Sequence, residues 1–125
     1  MDHHICVVDD DPDILRLVTV GLEAAGFQVS ALSDSLKALA EIERLQPDLL
    51  ILDIEMPGKS GLQLCADIRM KPELQDIPVL FLTSRLEIQT RIRGMQGGAI
   101  DYVTKPFRVQ DLISSIRAVL AVRGD

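Results

Sequence analysis

The sequence is poor in cysteine, aromatic residues and long apolar runs. It has two cysteines, Cys6 and Cys65, and no tryptophan. Both cysteines stand in apolar segments, which predicts reduced core residues rather than a disulfide or a metal pair. No apolar run approaches the ~20 residues of a membrane-spanning helix, and residues 1–4 lack the features of a signal peptide. These absences favour a cytoplasmic protein that does not associate with membranes.

An excess of positive charge is missing as well. Lysine and arginine number 13 against 19 aspartates and glutamates, which leaves a net charge of -6. Because unaided nucleic-acid binding requires a basic face, direct contact with nucleic acid is not expected. A length of 125 residues with 47% hydrophobic content is enough for one packed core. We therefore expect a single domain over residues 1–125.

Short apolar segments alternate with segments of helical period. The strand-like segments are residues 5–8, 27–32, 49–52, 79–83 and 101–104. Three of them are almost wholly apolar, as in parallel strands covered on both faces, whereas residues 27–32 and 101–104 are mixed and are predicted to be edge strands. The intervening segments repeat apolar residues at i, i+3, i+4 and i+7. This alternation predicts a (βα)5 three-layer α/β sandwich but not its strand order.

Local signals indicate where helices begin and end. Residues suited to cap a helix N-terminus are Asp11, Ser60 and Ser84. The last two are each followed three residues later by Gln63 or Glu87, as in the capping box. Glycines suited to end a helix in the left-handed conformation are Gly26 and either Gly97 or Gly98.

Polar side chains collect where four of the predicted strands end. They are Asp9, Asp10 and Asp11 after the first strand, Asp53 in the third, Thr83 and Ser84 in the fourth, and Thr104 and Lys105 in the fifth. Carboxyl ends of parallel strands share one edge of the sheet, where such folds place their chemistry. Clustered carboxylates raise one another's pKa, and Lys105 alone cannot neutralise three of them. A hard divalent cation such as Mg²⁺ can do so.

Four segments of the chain together carry a family resemblance. They are "VVDDDP", "LLILDIEMPGKSG", "VLFLTS" and "DYVTKPF". In this order and at these intervals they resemble the receiver domain of two-component response regulators, of the chemotaxis-regulator type. The resemblance covers roughly residues 5–122 and implies a flavodoxin-like fold with a parallel sheet in the order 2-1-3-4-5.

The resemblance also implies a function. A receiver takes a phosphoryl group from a histidine kinase or a phosphotransfer protein, hydrolyses it slowly, and changes its contacts with an effector domain or output protein. It is a switch rather than a turnover enzyme. Asp53 is then the expected phosphoacceptor. Asp9 and Asp10 are expected to hold Mg²⁺ together with the Asp53 carboxylate and the backbone carbonyl of Glu55.

Three further residues receive roles in the same way. Lys105 is expected to pair with the phosphoryl oxygens, and its bond to Pro106 is a candidate cis peptide. Thr83 is expected to hydrogen-bond the phosphoryl group after transfer. Tyr102 is expected to rotate between outward and inward positions as Thr83 moves.

Glu55 and Arg85 stand two residues beyond Asp53 and Thr83, at positions that should flank the mouth of the site. We expect them to pair across the mouth and to slow hydrolysis severalfold, because an exposed ion pair is worth only ~0–1 kcal/mol. Two separately solvated charges are the alternative.

Other functions stay open at this point. An aspartyl-phosphate hydrolase would carry a second aspartate where this sequence has Glu55, and a phosphorylation-independent binding module would have lost the polar site that is intact here. Ile100 and Ser115 depart from the charged residues of winged-helix transcription-factor receivers, which weakens the case for that subfamily's dimer face. The oligomeric state is open, with a homodimer as one option.

Overall fold

The computed structural model describes residues 3–93 and 100–122. Within these ranges five strands form one parallel sheet: β1 (His4–Val8), β2 (Gln28–Leu32), β3 (Leu49–Asp53), β4 (Val79–Thr83) and β5 (Ile100–Thr104). The α-helices of the same ranges are α1 (Pro12–Ala24), α2 (Ser35–Leu45), α3 (Gly61–Arg69), α4 (Leu86–Arg93) and α5 (Val109–Val122). A short 3-10 helix, Pro72–Leu74, precedes β4.

The strand order is β2-β1-β3-β4-β5, and all four pairings are parallel. This confirms both the flavodoxin-like topology and the prediction that the two mixed segments are edge strands. Every residue of β3 and β4 is buried, which explains why their sequences are so strongly apolar. The order also places the ends of β1, β3, β4 and β5 side by side.

The core lies on both faces of the sheet, as the predicted three layers require. One apolar cluster joins alternate strand residues such as Val8, Leu52 and Phe81 to α2, α3 and α4. The other joins the intervening residues, such as Val7 and Leu82, to α1 and α5. None of the helices in the described part of the chain has the length and apolar character needed to cross a bilayer.

The two cysteines are free and buried, as predicted. Removal from water raises the pKa of the Cys6 thiol to about 12 and also raises the pKa of Cys65. Since the thiolate is the reactive form, both side chains act as inert core residues.

Most helix ends follow the local signals. Asp11 Oδ1 accepts a hydrogen bond from the Asp13 amide at 2.9 Å and caps α1. Ser60 and Gln63 form the full capping box of α3. The φ of Gly26 is +97°, as expected for a residue just beyond α1. The predicted end of α4 at Gly97 or Gly98 lies outside the described residues.

The start of α4 differs from the prediction. The helix begins at Leu86, so Arg85 rather than Ser84 directly precedes it. The Glu87 carboxylate accepts a hydrogen bond from Arg85 Nε at 2.7 Å. In a capping box, the Glu87 carboxylate would accept a hydrogen bond from the backbone amide of the N-cap residue. Here the carboxylate pairs with the Arg85 guanidinium instead, so the predicted capping box is replaced by an ion pair.

The loop between β3 and α3 is closed tightly at its base. The Gly61 amide donates to the Ile54 carbonyl at 2.9 Å. A Cβ at Gly61 would lie 2.3 Å from the backbone oxygen of Asp53, closer than real contacts allow. The loop can therefore return to the end of β3 only because residue 61 has no side chain.

Gly61→Ala should lower the free energy of unfolding by roughly 2–4 kcal/mol, because overpacking against backbone cannot be relieved by rotating a side chain. Urea unfolding monitored by circular dichroism measures it. Gly26→Ala is the matched control, because a Cβ at Gly26 would have no atom within 4 Å. The φ of Gly26 is +97°, so this variant should lower the free energy of unfolding by only about 1 kcal/mol. Equal losses in the two variants would contradict the close packing at Gly61.

Candidate functional site

Asp53 occupies the end of β3 and faces a pocket at the carboxyl edge of the sheet. The pocket has a volume of about 300 Å³ and is lined by residues at the ends of β1, β3, β4 and β5. Asp53 is 5% exposed. Its Oδ1 accepts a hydrogen bond from Lys105 Nζ at 2.9 Å. The fully buried β3 thus ends in a carboxyl group that lines the pocket and has little exposed surface.

Asp9 is the most buried acid of the pocket, with no exposed surface. Its Oδ1 accepts a hydrogen bond from the Asp11 amide at 2.9 Å. Its Oδ2 is buried and has no hydrogen-bond partner in the described chain, since Lys105 Nζ lies 3.7 Å away. Desolvation raises the pKa of Asp9 to about 6; the Asp11 amide opposes the shift and the charge of Asp53 adds to it.

The pKa values of Asp53 and Lys105 are coupled. Desolvation raises the pKa of Asp53, although the hydrogen bond and charge of Lys105 act in the opposite direction. Desolvation alone would lower the pKa of Lys105, but the hydrogen bond and charge of Asp53 and the charge of Asp9 outweigh it and raise that pKa. Lys105 is therefore held in the charged form as the counter-ion of both acids. The peptide bond between Lys105 and Pro106 is cis.

Three of the five acidic residues that line the pocket lie close together beside the Lys105 ammonium group. Asp9, Asp10 and Asp53 each offer an oxygen, and these oxygens lie within 4.8 Å of one another. Together with the unpartnered Oδ2 of Asp9, this all-oxygen set fits a hard divalent cation that retains water ligands. It does not resemble a zinc site, which would use cysteine and histidine.

The predicted hydroxyl residue, Thr83, ends β4, and the predicted aromatic residue, Tyr102, is the middle residue of β5. Thr83 is 3% exposed and its Oγ1 accepts a hydrogen bond from the Arg85 amide at 3.1 Å. The backbone amide of Lys105 donates to the Thr83 carbonyl at 3.0 Å, which links the two strand ends. Tyr102 is half-buried and packs against the core cluster on the α4 side of the sheet.

Glu55 lines the pocket, and Arg85 forms only a long ion pair with it. Arg85 Nε lies 3.9 Å from Glu55 Oε1. The same guanidinium contacts Glu87 Oε1 much more closely, at 2.7 Å from Nε and 2.6 Å from Nη2. Two acids therefore compete for Arg85, whereas the sequence predicted only the pair with Glu55.

Two residues near the pocket were not predicted. The Gln89 side-chain amide donates to the Thr83 carbonyl at 3.3 Å and reaches Thr104 Oγ1 at 3.4 Å, which ties α4 to both strand ends. The Ser35 hydroxyl bonds to the loop after β3 from the first turn of α2. No sequence signal indicates the role of Gln89, and a serine at the start of a helix is usually interpreted as a cap.

An apolar groove adjoins the acidic pocket. It has a volume of about 530 Å³, and its apolar lining consists of Ile14, Leu17, Pro106 and Phe107. Leu17 is 48% exposed. The groove meets the acidic pocket at Lys105, Ser84 and Asp11, which line both.

Comparison with known proteins identifies the family. Residues 5–117 match the response regulator receiver domain. This chain belongs to that family. Its relatives include the DNA-binding dual master transcriptional regulator RpaA of Synechocystis sp., 43% identical over 93% of this chain and 48% of the relative. The phosphate regulon transcriptional regulatory protein PhoB of Rhizobium meliloti is 40% identical over 93% of this chain and 51% of the relative.

Solved structures agree with this assignment. The chemotaxis protein CheY4 of Vibrio cholerae superposes with a TM-score of 0.86 at 28% identity, over 95% of this chain and 99% of that one. The receiver domain of a signal transduction histidine kinase from Syntrophus aciditrophicus gives 0.83 at 30% identity, over 95% and 90%. The receiver chain spans about half the length of the curated relatives it matches.

The family assignment bears on the functions that the sequence left open. It supports a receiver of a two-component system, with the phosphoryl-accepting switch function of that family, over an aspartyl-phosphate hydrolase. Ile100 and Ser115 do not separate the chain from regulators whose names say that they bind DNA, since such regulators are among its relatives. The side chain of Ile100 lies outside the described part of the receiver.

The charge on Asp9 should make the metal-free receiver less stable at neutral pH. The pKa of Asp9, about 6, lies above its usual value of 3.8, so ionisation disfavours the folded state. This penalty is absent below about pH 4 and complete above about pH 6. Without divalent cations, Asp9→Asn should raise the free energy of unfolding by roughly 1–3 kcal/mol at pH 7.5, and the gain should vanish near pH 4.

Urea unfolding in EDTA across this pH range measures the effect. Asp11→Asn is the control, because Asp11 is exposed and asparagine caps a helix as well as aspartate does. A less stable Asp9→Asn at pH 7.5 would mean that attraction to Lys105 outweighs desolvation.

Proposed function

We propose that residues 1–125 make up one receiver domain that is switched by phosphorylation of Asp53 in the presence of Mg²⁺. One observation carries this proposal. The Asp53 carboxylate faces an open pocket with Lys105 Nζ at 2.9 Å and the oxygens of two further acids within 4.8 Å. A nucleophile, a fixed cation and a metal-ligating set therefore converge on the space where a phosphoryl group would sit.

The chemistry follows from this geometry. A carboxylate oxygen of Asp53 attacks the phosphorus of a phosphohistidine, the P–N bond breaks, and its electron pair leaves with the imidazole. The product is an acyl phosphate on Asp53. Water later attacks the same phosphorus, the bond to the Asp53 oxygen breaks, and inorganic phosphate and the free carboxylate result. Positioning and charge neutralisation are the main needs of such transfers.

Asp9, Asp10 and Asp53, with the backbone carbonyl of Glu55, would hold the Mg²⁺. The bound ion supplies positive charge that offsets the carboxylates and the oxygens of the transferred group. Lys105 Nζ lies 2.9 Å from Asp53 Oδ1 and 3.7 Å from Asp9 Oδ2. Its ammonium group is therefore placed to pair with the oxygens of a phosphoryl group on Asp53. The unpartnered Asp9 Oδ2 supports a ligand role for that residue.

Phosphorylation would be transmitted from Thr83 to α4. The phosphoryl oxygens would offer the Thr83 hydroxyl a charged acceptor, which favours a second position of the β4 end. Gln89 bonds to the Thr83 carbonyl and reaches Thr104, so α4 would respond to that displacement. Tyr102, packed on the same side of the sheet, would change its rotamer as Thr83 moves.

The phosphodonor would be a histidine kinase or a phosphotransfer protein. Any donor that presents a phosphohistidine to Asp53 must cover the mouth of the pocket, and would cover the adjoining groove at Leu17 and Phe107 as well. The output would pass to an effector domain or output protein. Relatives named as DNA-binding regulators support an output at DNA, in the cytoplasm, through a segment other than this acidic chain.

Incubation with acetyl phosphate and Mg²⁺ should add one phosphoryl group to the wild-type protein, seen by intact mass. Asp53→Asn should add none, because the amide is not a nucleophile, and chelation of Mg²⁺ should abolish the wild-type adduct. An adduct that persists on Asp53→Asn would place the acceptor elsewhere. No adduct at all, with Mg²⁺ bound, would support the phosphorylation-independent binding module.

We also propose that Arg85 tunes the lifetime of the acyl phosphate. Its guanidinium lies between Glu55, at the mouth, and Glu87, which holds it in this structure. When Arg85 turns to Glu55, the two side chains narrow the path of the attacking water. Glu87 competes with Glu55 for the same cation, and this competition makes hydrolysis faster.

The two variants should change the decay rate in opposite directions. Arg85→Ala should speed dephosphorylation and Glu87→Gln should slow it, each by about twofold to fivefold, the range of an exposed ion pair. Decay after removal of acetyl phosphate, followed by intact mass, measures both. Arg91→Ala, on the exposed part of α4, is the control for loss of one positive charge. An unchanged rate in Arg85→Ala would refute the proposal.

A further inference from the structure

The loop between β3 and α3 is held from α2 by one buried hydroxyl group. Ser35 is the first residue of α2 and is 4% exposed. Its Oγ donates a hydrogen bond to the Pro57 carbonyl at 2.8 Å and accepts one from the Lys59 amide at 3.1 Å. These partners are 22 and 24 residues away in the sequence, so the serine joins the start of α2 to the loop between β3 and α3.

The segment that Ser35 holds carries groups of the acidic pocket. Residues 54–60 leave the end of β3, and Glu55 within them lines the acidic pocket beside Asp53. The base of the segment is closed by the Gly61 amide on the Ile54 carbonyl at 2.9 Å. Its far side rests on α2, where the Leu36 side chain packs over Gly58. Ser35 supplies the polar contact between α2 and residues 54–60.

Helix capping does not explain the Ser35 hydroxyl. The cap of α2 is Asp34, whose Oδ1 accepts a hydrogen bond from the Leu36 amide at 2.9 Å. The Ser35 hydroxyl instead forms hydrogen bonds with the Pro57 carbonyl and the Lys59 amide of the loop after β3. The two adjacent side chains therefore have different partners: Asp34 caps the helix, and Ser35 binds the loop after β3.

We propose that Ser35 is a positioning residue for the divalent cation that the acidic pocket fits, and this inference rests on the proposed function. Glu55 lies between the closed base of the loop and the Ser35 contact, so the two contacts together limit the conformations of its backbone. A ligand that is already ordered loses less conformational entropy when the cation binds. Without the Ser35 hydroxyl, the tip loses its hydrogen bonds to α2 and keeps the bond from the Lys59 amide to the Pro57 carbonyl and the ion pair of Lys59 with Asp67.

Ser35→Ala should weaken Mg²⁺ binding to the unphosphorylated protein by about twofold to tenfold, the range that one or two neutral hydrogen bonds allow. Isothermal titration calorimetry with Mg²⁺ measures it. The matched control is Asp34→Ala, which removes the cap of the same helix and leaves the bonds of Ser35 in place. That variant should lose stability in urea and keep the wild-type Mg²⁺ affinity.

A second measurement separates positioning from general damage. In acetyl phosphate, Ser35→Ala should need more Mg²⁺ for half-maximal phosphorylation but reach the wild-type rate at saturation. Equal Mg²⁺ affinities in Ser35→Ala and wild type, or equal losses in the two alanine variants, would overturn the role of Ser35 while the proposed function stands. A wild-type protein that does not bind Mg²⁺ would overturn both.

Discussion

Three carboxylates crowded around a single ammonium group are the constraint on which the rest of the structure depends. Asp9 has no contact with solvent, Asp53 has very little, and the oxygens of these two and Asp10 lie within 4.8 Å of one another. Lys105 offsets part of this charge, yet desolvation still raises the pKa of both buried acids. The folded protein therefore stores an electrostatic penalty at one edge of its sheet. A cation or a phosphoryl group that binds there would meet carboxylates whose negative charge Lys105 neutralises only in part.

The surrounding structure divides into a rigid frame and adjustable contacts. Asp53 ends a strand buried along its whole length, and that strand lies between β1, which precedes Asp9, and β4, which ends in Thr83. Packing on both faces leaves these backbones little freedom. The contacts that can change are side-chain hydrogen bonds and exposed ion pairs, among them those of Gln89 and Arg85. A rigid frame keeps the chemistry in place, while weak contacts of this kind allow two states of similar free energy.

The comparisons show how little the fold depends on particular side chains. A TM-score of 0.86 at 28% identity shows that the fold tolerates wide sequence change. This is expected when the fold depends on apolar periodicity and short connections. The contacts of Ser35, Gln89, Arg85 and Glu87, by contrast, depend on those particular side chains and link the elements around the acidic pocket.

The sequence by itself determined the strand segments, the edge strands, the two-sided core and the set of polar residues at one edge of the sheet. These features follow from local periodicity and from the rule that parallel strands end on the same side. The strand order came from the family resemblance, because periodicity says nothing about which strands are neighbours. Only the tertiary structure decided that Lys105 lies 2.9 Å from Asp53 but 3.7 Å from Asp9. It also decided that Arg85 prefers Glu87 and that Ser35 binds a loop 22 residues away. Such choices depend on distances between side chains from separate elements, which packing sets and local sequence does not.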